Sequence, residues 1–146
     1  MRRVLFIAYN FPPHGGAGVQ RSLKFVKYLP DFGWQPLVVS TTADAALIKD
    51  PTLLNDLPPN TLVKRIRGFS IARLQTQAER YKLQKAAVLA NVLLQIPDTV
   101  RFWARQAYTE CLQLIQDEKP DLIYTTSGPY SAHLLGRWLR LKTGLP

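Results

Sequence analysis

The sequence is poor in the residues that build cross-linked or metal-dependent folds. One cysteine, Cys111, and two histidines, His14 and His133, stand among 146 residues. That count excludes an intramolecular disulfide and a cysteine-rich zinc site, and it fits a reducing compartment, so the cytoplasm is the expected location. Long apolar runs are missing too. Val4-Leu5-Phe6-Ile7-Ala8 is shorter than a signal-peptide core or the ~20 residues of a membrane span, and the run from Ala86 to Leu94 is interrupted by Asn91. Acids are scarce: ten Asp and Glu face nineteen Lys and Arg, for a net charge of +9. Nine of those basic residues but only two acids fall in residues 61–108, so the excess is regional. It favours an anionic partner, whether phosphate groups or an acidic membrane face. Nucleic acid is disfavoured, because no helix-turn-helix, finger or aromatic RNA-binding signature accompanies the charge.

What is present suits one globular domain over residues 1–146, 47% hydrophobic and long enough to bury a core without a staple. Arg3 to Tyr9 is a near-continuous apolar run, the pattern of a strand covered on both faces of a parallel sheet. Asn10 to Gly18, with two prolines and three glycines, reads as a loop. Val19, Leu23, Val26 and Leu29 then recur at helical spacing until Pro30 and Gly33 close the helix. Gln35 to Thr41 is a second strand, completing a βαβ unit, and Thr61 to Ile66 a third, at or near a sheet edge. Residues from about Ala72 to Leu94 read as helix. Asp98 is the expected N-cap of another, which carries Val100, Trp103, Ala107, Cys111 and Leu114 on one face and stops at Pro120. Asp121 to Thr126 reads as a fourth strand, Ser127 to Tyr130 as a tight loop, and Ser131 as the cap of a last helix with Ala132, Leu135, Trp138 and Leu139 inward. This alternation predicts an α/β fold with a parallel sheet flanked by helices.

In such a sheet, ligands bind outside the carboxyl ends of the strands, where connections leave in opposite directions. The loops His14 to Gly18 and Thr125 to Tyr130 lie at that edge. Gly15 and Gly16 let backbone N–H groups at a helix start approach an anion, and Arg21 adds a forked donor; the alternative is a plain turn in which glycine supplies backbone freedom only. On the functional reading, a β-branched residue at Gly16 blocks the approach and leaves the fold largely intact. A dinucleotide fingerprint fails, because Arg21 stands where its third glycine belongs and Ser40-Thr41-Thr42 offer no acid at the end of strand two. No phosphate-binding G-x-x-x-x-G-K-[ST] loop exists. His14 reads either as a substrate contact or base, or as a solvated turn residue; His133 reads as structural. Ser127 and Tyr130 read as ligand hydrogen-bonders or as ordinary turn chemistry, and Cys111 as a core thiol. Arg80, Lys82 and Lys85, ahead of the apolar segment, read as contacts to an anionic membrane face or as a solvated surface.

Several of these stretches together resemble a known family. Val4-Leu5-Phe6-Ile7, Pro12-Pro13-His14-Gly15-Gly16 with Arg21, Leu29, Gly33-Trp34 and Leu37-Val38-Val39 look like the start of a glycosyltransferase family 4 enzyme. Pro120 to Pro129, with Gly136 and Gly144-Leu145-Pro146, are similar to that family's fourth strand and following helix. The resemblance implies the Rossmann-like N-terminal, acceptor-side half of a GT-B enzyme, truncated within its own sheet and lacking the C-terminal donor-binding domain. It implies retaining transfer of a sugar from a nucleotide-sugar donor to a glycan, lipid-linked or small-molecule acceptor. No metal and no cofactor beyond the donor are implied, the setting is cytoplasmic or peripheral at the inner membrane face, and the fragment alone is expected to be inactive. Gly15 and Gly16 would approach the donor phosphates or reacting sugar from the acceptor side, and Arg21 would help anchor an anionic group. One departure matters: where many members place a histidine after the fourth strand, this chain has Ser127-Gly128-Pro129-Tyr130, so no base is assigned there. The competing reading is a non-catalytic α/β module that binds an anionic ligand or membrane surface.

Overall fold

The computed structural model describes residues 1–42, 48–67 and 96–146; the helix expected over 72–94, with Arg80, Lys82 and Lys85, lies outside the described residues. In chain order the regular elements are β1 (Arg2–Ile7), α1 (Ala17–Tyr28), β2 (Trp34–Thr41), β3 (Leu62–Ile66), α2 (Arg101–Glu118), β4 (Leu122–Thr125) and α3 (Ser131–Thr143). The strands form one parallel sheet in the order β3-β2-β1-β4. β1 is central and paired on both sides, which is why its sequence is apolar at successive positions rather than alternating. β3 and β4 are the edges. Pro36 fits within the inner strand β2 because pairing with β3 begins only at Leu37, so its missing N–H interrupts no ladder on that side.

Alternate side chains of the sheet enter two cores. Leu5, Ile7, Leu37 and Val39 pack with Trp103, Ala107 and Cys111 of α2 and with Ala132, Leu135 and Leu139 of α3. Phe6, Ala8 and Val38 pack with Phe11 and with Leu23 and Val26 of α1 on the opposite face. The result is a three-layer α/β/α arrangement. Burial, reinforced by the adjacent Glu110 carboxylate, pushes the Cys111 thiol up to about 12, so it is inert at neutral pH.

Helix ends differ from expectation in instructive ways. α1 starts at Ala17, two residues before its first apolar anchor, with Gly16 as N-cap. Gly33, in the left-handed region at φ 79°, ends the short 3-10 turn Leu29–Phe32 that follows α1. Asp98 does not cap α2, whose N-cap is Val100. Its Oδ1 accepts from the Val100 N–H at 3.0 Å and from Ser131 Oγ at 2.6 Å, and its Oδ2 accepts from the Ser131 N–H at 2.7 Å. Ser131 is accordingly the first residue of α3 rather than its cap, and the start of α3 is pinned by an acid 33 residues away.

α3 lies unusually close to the sheet. A Cβ on Gly136 would sit 2.5 Å from Thr125 Cγ2, so only glycine admits this approach. Gly136→Ala is therefore expected to destabilise the fold by roughly 1–3 kcal/mol through overpacking. Gly18→Ala, whose Cβ meets nothing within 4 Å, serves as the near-neutral control. Urea denaturation midpoints of the two variants check this, and equal midpoints would contradict it.

α1 is tied to the 3-10 turn Pro51–Asp56 by Asp56, which receives Lys24 Nζ at 2.6 Å and Lys27 Nζ at 2.7 Å. Hydrogen bonds from Lys24 and then Lys27 hold its carboxyl at about 2, below its usual 3.8. A depressed carboxyl pKa contributes stability above the unfolded value that disappears as pH falls through the folded one. Asp56→Asn should thus lower the thermal midpoint at neutral pH, with the difference vanishing as pH approaches about 2.

Candidate functional site

Strand order reverses at β1: α1 leads from it to β2 on one side, whereas β4 arrives on the other. The connections leaving β1 and β4 therefore diverge and open a crevice at the sheet's carboxyl edge. Both loops singled out in the sequence border it.

Two contacts join those loops. Arg21 Nη2 donates to Thr126 Oγ1 at 2.8 Å and to the Ser127 carbonyl at 3.0 Å. Asn10 Nδ2 donates to the Gly128 carbonyl at 3.3 Å. Arg21 is thus a clamp across the crevice, while its Nε and Nη1 donors have no partner among the described residues. Gly16, Ala17 and Gly18 are exposed at the start of α1, where the first amides of a helix lack intrahelical acceptors. Amides of this kind, beside a forked cation, suit a tetrahedral oxyanion.

The two glycines play different parts. The Gly15 N–H donates to the Ile48 carbonyl at 2.9 Å, and a Cβ there would lie 2.9 Å from Ile48 Cγ2. Gly15 is therefore explained by the close passage of residues 48–50, and its amide does not face the crevice as an open donor. Gly16 has φ 107° and ψ 164°, a region essentially reserved for glycine, yet nothing lies within 4 Å of where its Cβ would be. The expectation that a side chain at Gly16 leaves the fold intact is corrected by that dihedral.

His14 is buried, at 3% exposure, rather than solvated. Its Nε2 lies 3.1 Å from the Thr42 carbonyl and its Nδ1 3.4 Å from Asn10 Oδ1, which places it beneath the loop. An antiparallel bridge to Lys49 and the Asp50 N–H bond to the Pro13 carbonyl, 2.8 Å, complete that anchorage. Tyr130 is 66% exposed at the rim, and Ser127 is exposed beside it.

Four residues at this edge are not singled out by the sequence. Arg65, at the end of β3, donates to the Thr41 carbonyl at 3.4 Å and to the Pro12 carbonyl, tying the first loop to β2; burial lowers its pKa. The Thr41 and Thr42 hydroxyls, at the end of β2, are buried without a hydrogen-bond partner among the described residues. His133, in the first turn of α3, is exposed, with Nδ1 2.6 Å from Thr125 Oγ1 and Nε2 2.7 Å from Ser127 Oγ. Its spacing was the available signal: a helix returning antiparallel over its strand places its first turn above that strand's end.

Comparison with known proteins adds fold-level information. No protein-family model matches the sequence, and no curated protein matches it. Among solved structures the fold is similar to that of Acinetobacter baumannii MurG, a GT-B glycosyltransferase, with a TM-score of 0.56 at 16% identity. The match covers 100% of this chain and 33% of MurG, so the chain spans a third of that protein's length. The Rossmann-like GT-B-half fold is shown by this likeness and by the parallel sheet. Among the described residues no helix is long and apolar enough to cross a membrane.

Replacing Gly16 by alanine should cost about 1–3 kcal/mol through backbone strain alone, since no contact opposes the methyl group. Chemical denaturation checks this. A stability equal to that of the unmodified chain would show that the loop relaxes to another conformation.

Proposed function

We propose that this chain is the acceptor-side module of a GT-B glycosyltransferase of the family 4 type, which transfers a sugar from a nucleotide-sugar donor with retention. The observation that carries the reading is the bridged crevice: Arg21 spans from α1 to the loop after β4 and, among the described residues, keeps two guanidinium nitrogens unpartnered beside the exposed start of α1. The MurG-like fold supports the reading at the level of architecture. In this assignment the amides of Gly16 to Gly18 and Arg21 meet phosphate oxygens, Ser127 hydrogen-bonds the donor or the reacting sugar, and Tyr130 offers an aromatic face at the rim. A facing donor-binding half supplies the remaining contacts, and sugar transfer needs both.

The division of labour fixes what the chain does alone. It should bind nucleotide sugars weakly and transfer nothing. Saturation-transfer NMR with UDP-, GDP- and ADP-sugars reads the bound epitope: the sugar and its anomeric proton should receive more saturation than the base. Saturation centred on the base, or sugar transfer by residues 1–146 unaided, would contradict the assignment.

A further inference from the structure

Of the two histidines, His14 is enclosed beneath its loop, whereas His133 is exposed at the crevice with both ring nitrogens meeting hydroxyl groups. The pairing is informative because the partners differ in placement. Thr125 is the last residue of β4. Ser127 is an exposed residue of the loop whose carbonyl Arg21 holds. A ring fixed on one side by the strand therefore reaches its other nitrogen to a hydroxyl at the ligand face.

A neutral imidazole donates through one nitrogen and accepts through the other, whereas an imidazolium donates through both. When Nε2 accepts, the Ser127 hydrogen points into the ring and only oxygen lone pairs face the crevice. When Nε2 carries a hydrogen, it occupies a Ser127 lone pair and frees the Ser127 hydrogen to point outward. We propose that His133 is a positioning residue: with the neutral ring's hydrogen on Nδ1, donated to Thr125 Oγ1, Nε2 accepts from Ser127, and protonation of Nε2 turns that hydroxyl into a donor toward a phosphate-type oxyanion held at the crevice. The proposal rests on the anion-binding reading of this site.

The charged surroundings bear on the pH dependence. α3 brings Arg137 and Arg140 into the groove that His133 lines with Thr125, and α1 brings Arg21 to the Ser127 carbonyl. β4 contributes Ile123 and Thr125 to that groove and no ionisable group. The Asp98 carboxylate, ahead of α2, is engaged by Ser131 two residues before His133. Among the described residues, then, the protonated ring joins Arg21, Arg137 and Arg140, with the Pro146 carboxyl group of this chain lining the same groove, and a bound anion offsets the repulsion among the cations. Anion binding and ring protonation should favour each other reciprocally.

The test uses inorganic sulfate, whose charge stays constant across the histidine range, titrated into the whole chain at fixed ionic strength and followed by NMR. Lowering the pH from about 8 to about 5.5 should tighten sulfate binding about fivefold. His133→Gln, which offers hydrogen bonds to both hydroxyls but does not titrate, should lose the pH dependence. Ser127→Ala, which removes the switched hydroxyl but leaves the ring charge, should lose part of that dependence and serves as the second variant; an undiminished dependence there would overturn the role of the hydroxyl. If His133→Gln binds sulfate with the full pH dependence of the unmodified chain, the proposal is overturned while the anion site stands. Failure of the folded, unmodified chain to bind sulfate at either pH would overturn the anion site and the proposal together.

Discussion

The parallel pairing of β1 on both of its edges is the constraint from which the rest follows. Partnered by β2 at Arg2 to Ile7 and by β4 at Val4 to Ile7, β1 is buried over Val4 to Ile7, where both of its edges are paired and both faces covered. Its neighbours in space then come from opposite directions in the sequence, which fixes a reversal of strand order beside it. A crevice at the carboxyl edge is a geometric consequence of that order, not a separate feature. What the local sequence adds is chemistry: small, exposed residues at the start of α1, and hydroxyl groups after β4.

The two loops at the carboxyl edge are held together by contacts that no single element could supply. Arg21 and Asn10 bind the two loops to each other, while Arg65 and the bridge at Lys49 hold the first loop to the β2–β3 side. On the far side, Asp98 pins the start of α3 and Gly136 allows that helix to lie against Thr125. His133 inherits its position from both. A helix displaced by one methyl group at Gly136 would carry the ring away from Ser127, so a packing constraint in the core and hydrogen-bond geometry at the surface are linked.

The sheet was legible in the sequence for local reasons. β1 and β2 announce themselves as apolar runs interrupted by a helix of clear periodicity, and Pro120 and Gly33 mark boundaries that the backbone obeys. The site was legible only in outline. Position in the chain revealed that the loops after β1 and β4 share an edge, but not that Arg21 reaches from one to the other. Nothing near Gly15 in sequence indicates that residues 48–50 pass close enough to exclude a side chain. Asp98 sits where an N-cap belongs, and only the folded chain shows it serving a helix 33 residues later. The helical position of His133 suggests packing, while its contacts with Thr125 and Ser127 depend on α3 folding back over the end of β4.

At the centre of the account is the claim that the start of α1, Arg21 and the loop after β4 form one oxyanion site. Backbone amide shifts of the whole chain on addition of inorganic pyrophosphate test it most directly. The account predicts perturbations concentrated at Gly16 to Gly18, Thr126 and Ser127, and their loss in Arg21→Ala with the fold intact. Perturbations scattered over the basic surface, or unchanged by removal of Arg21, would contradict it.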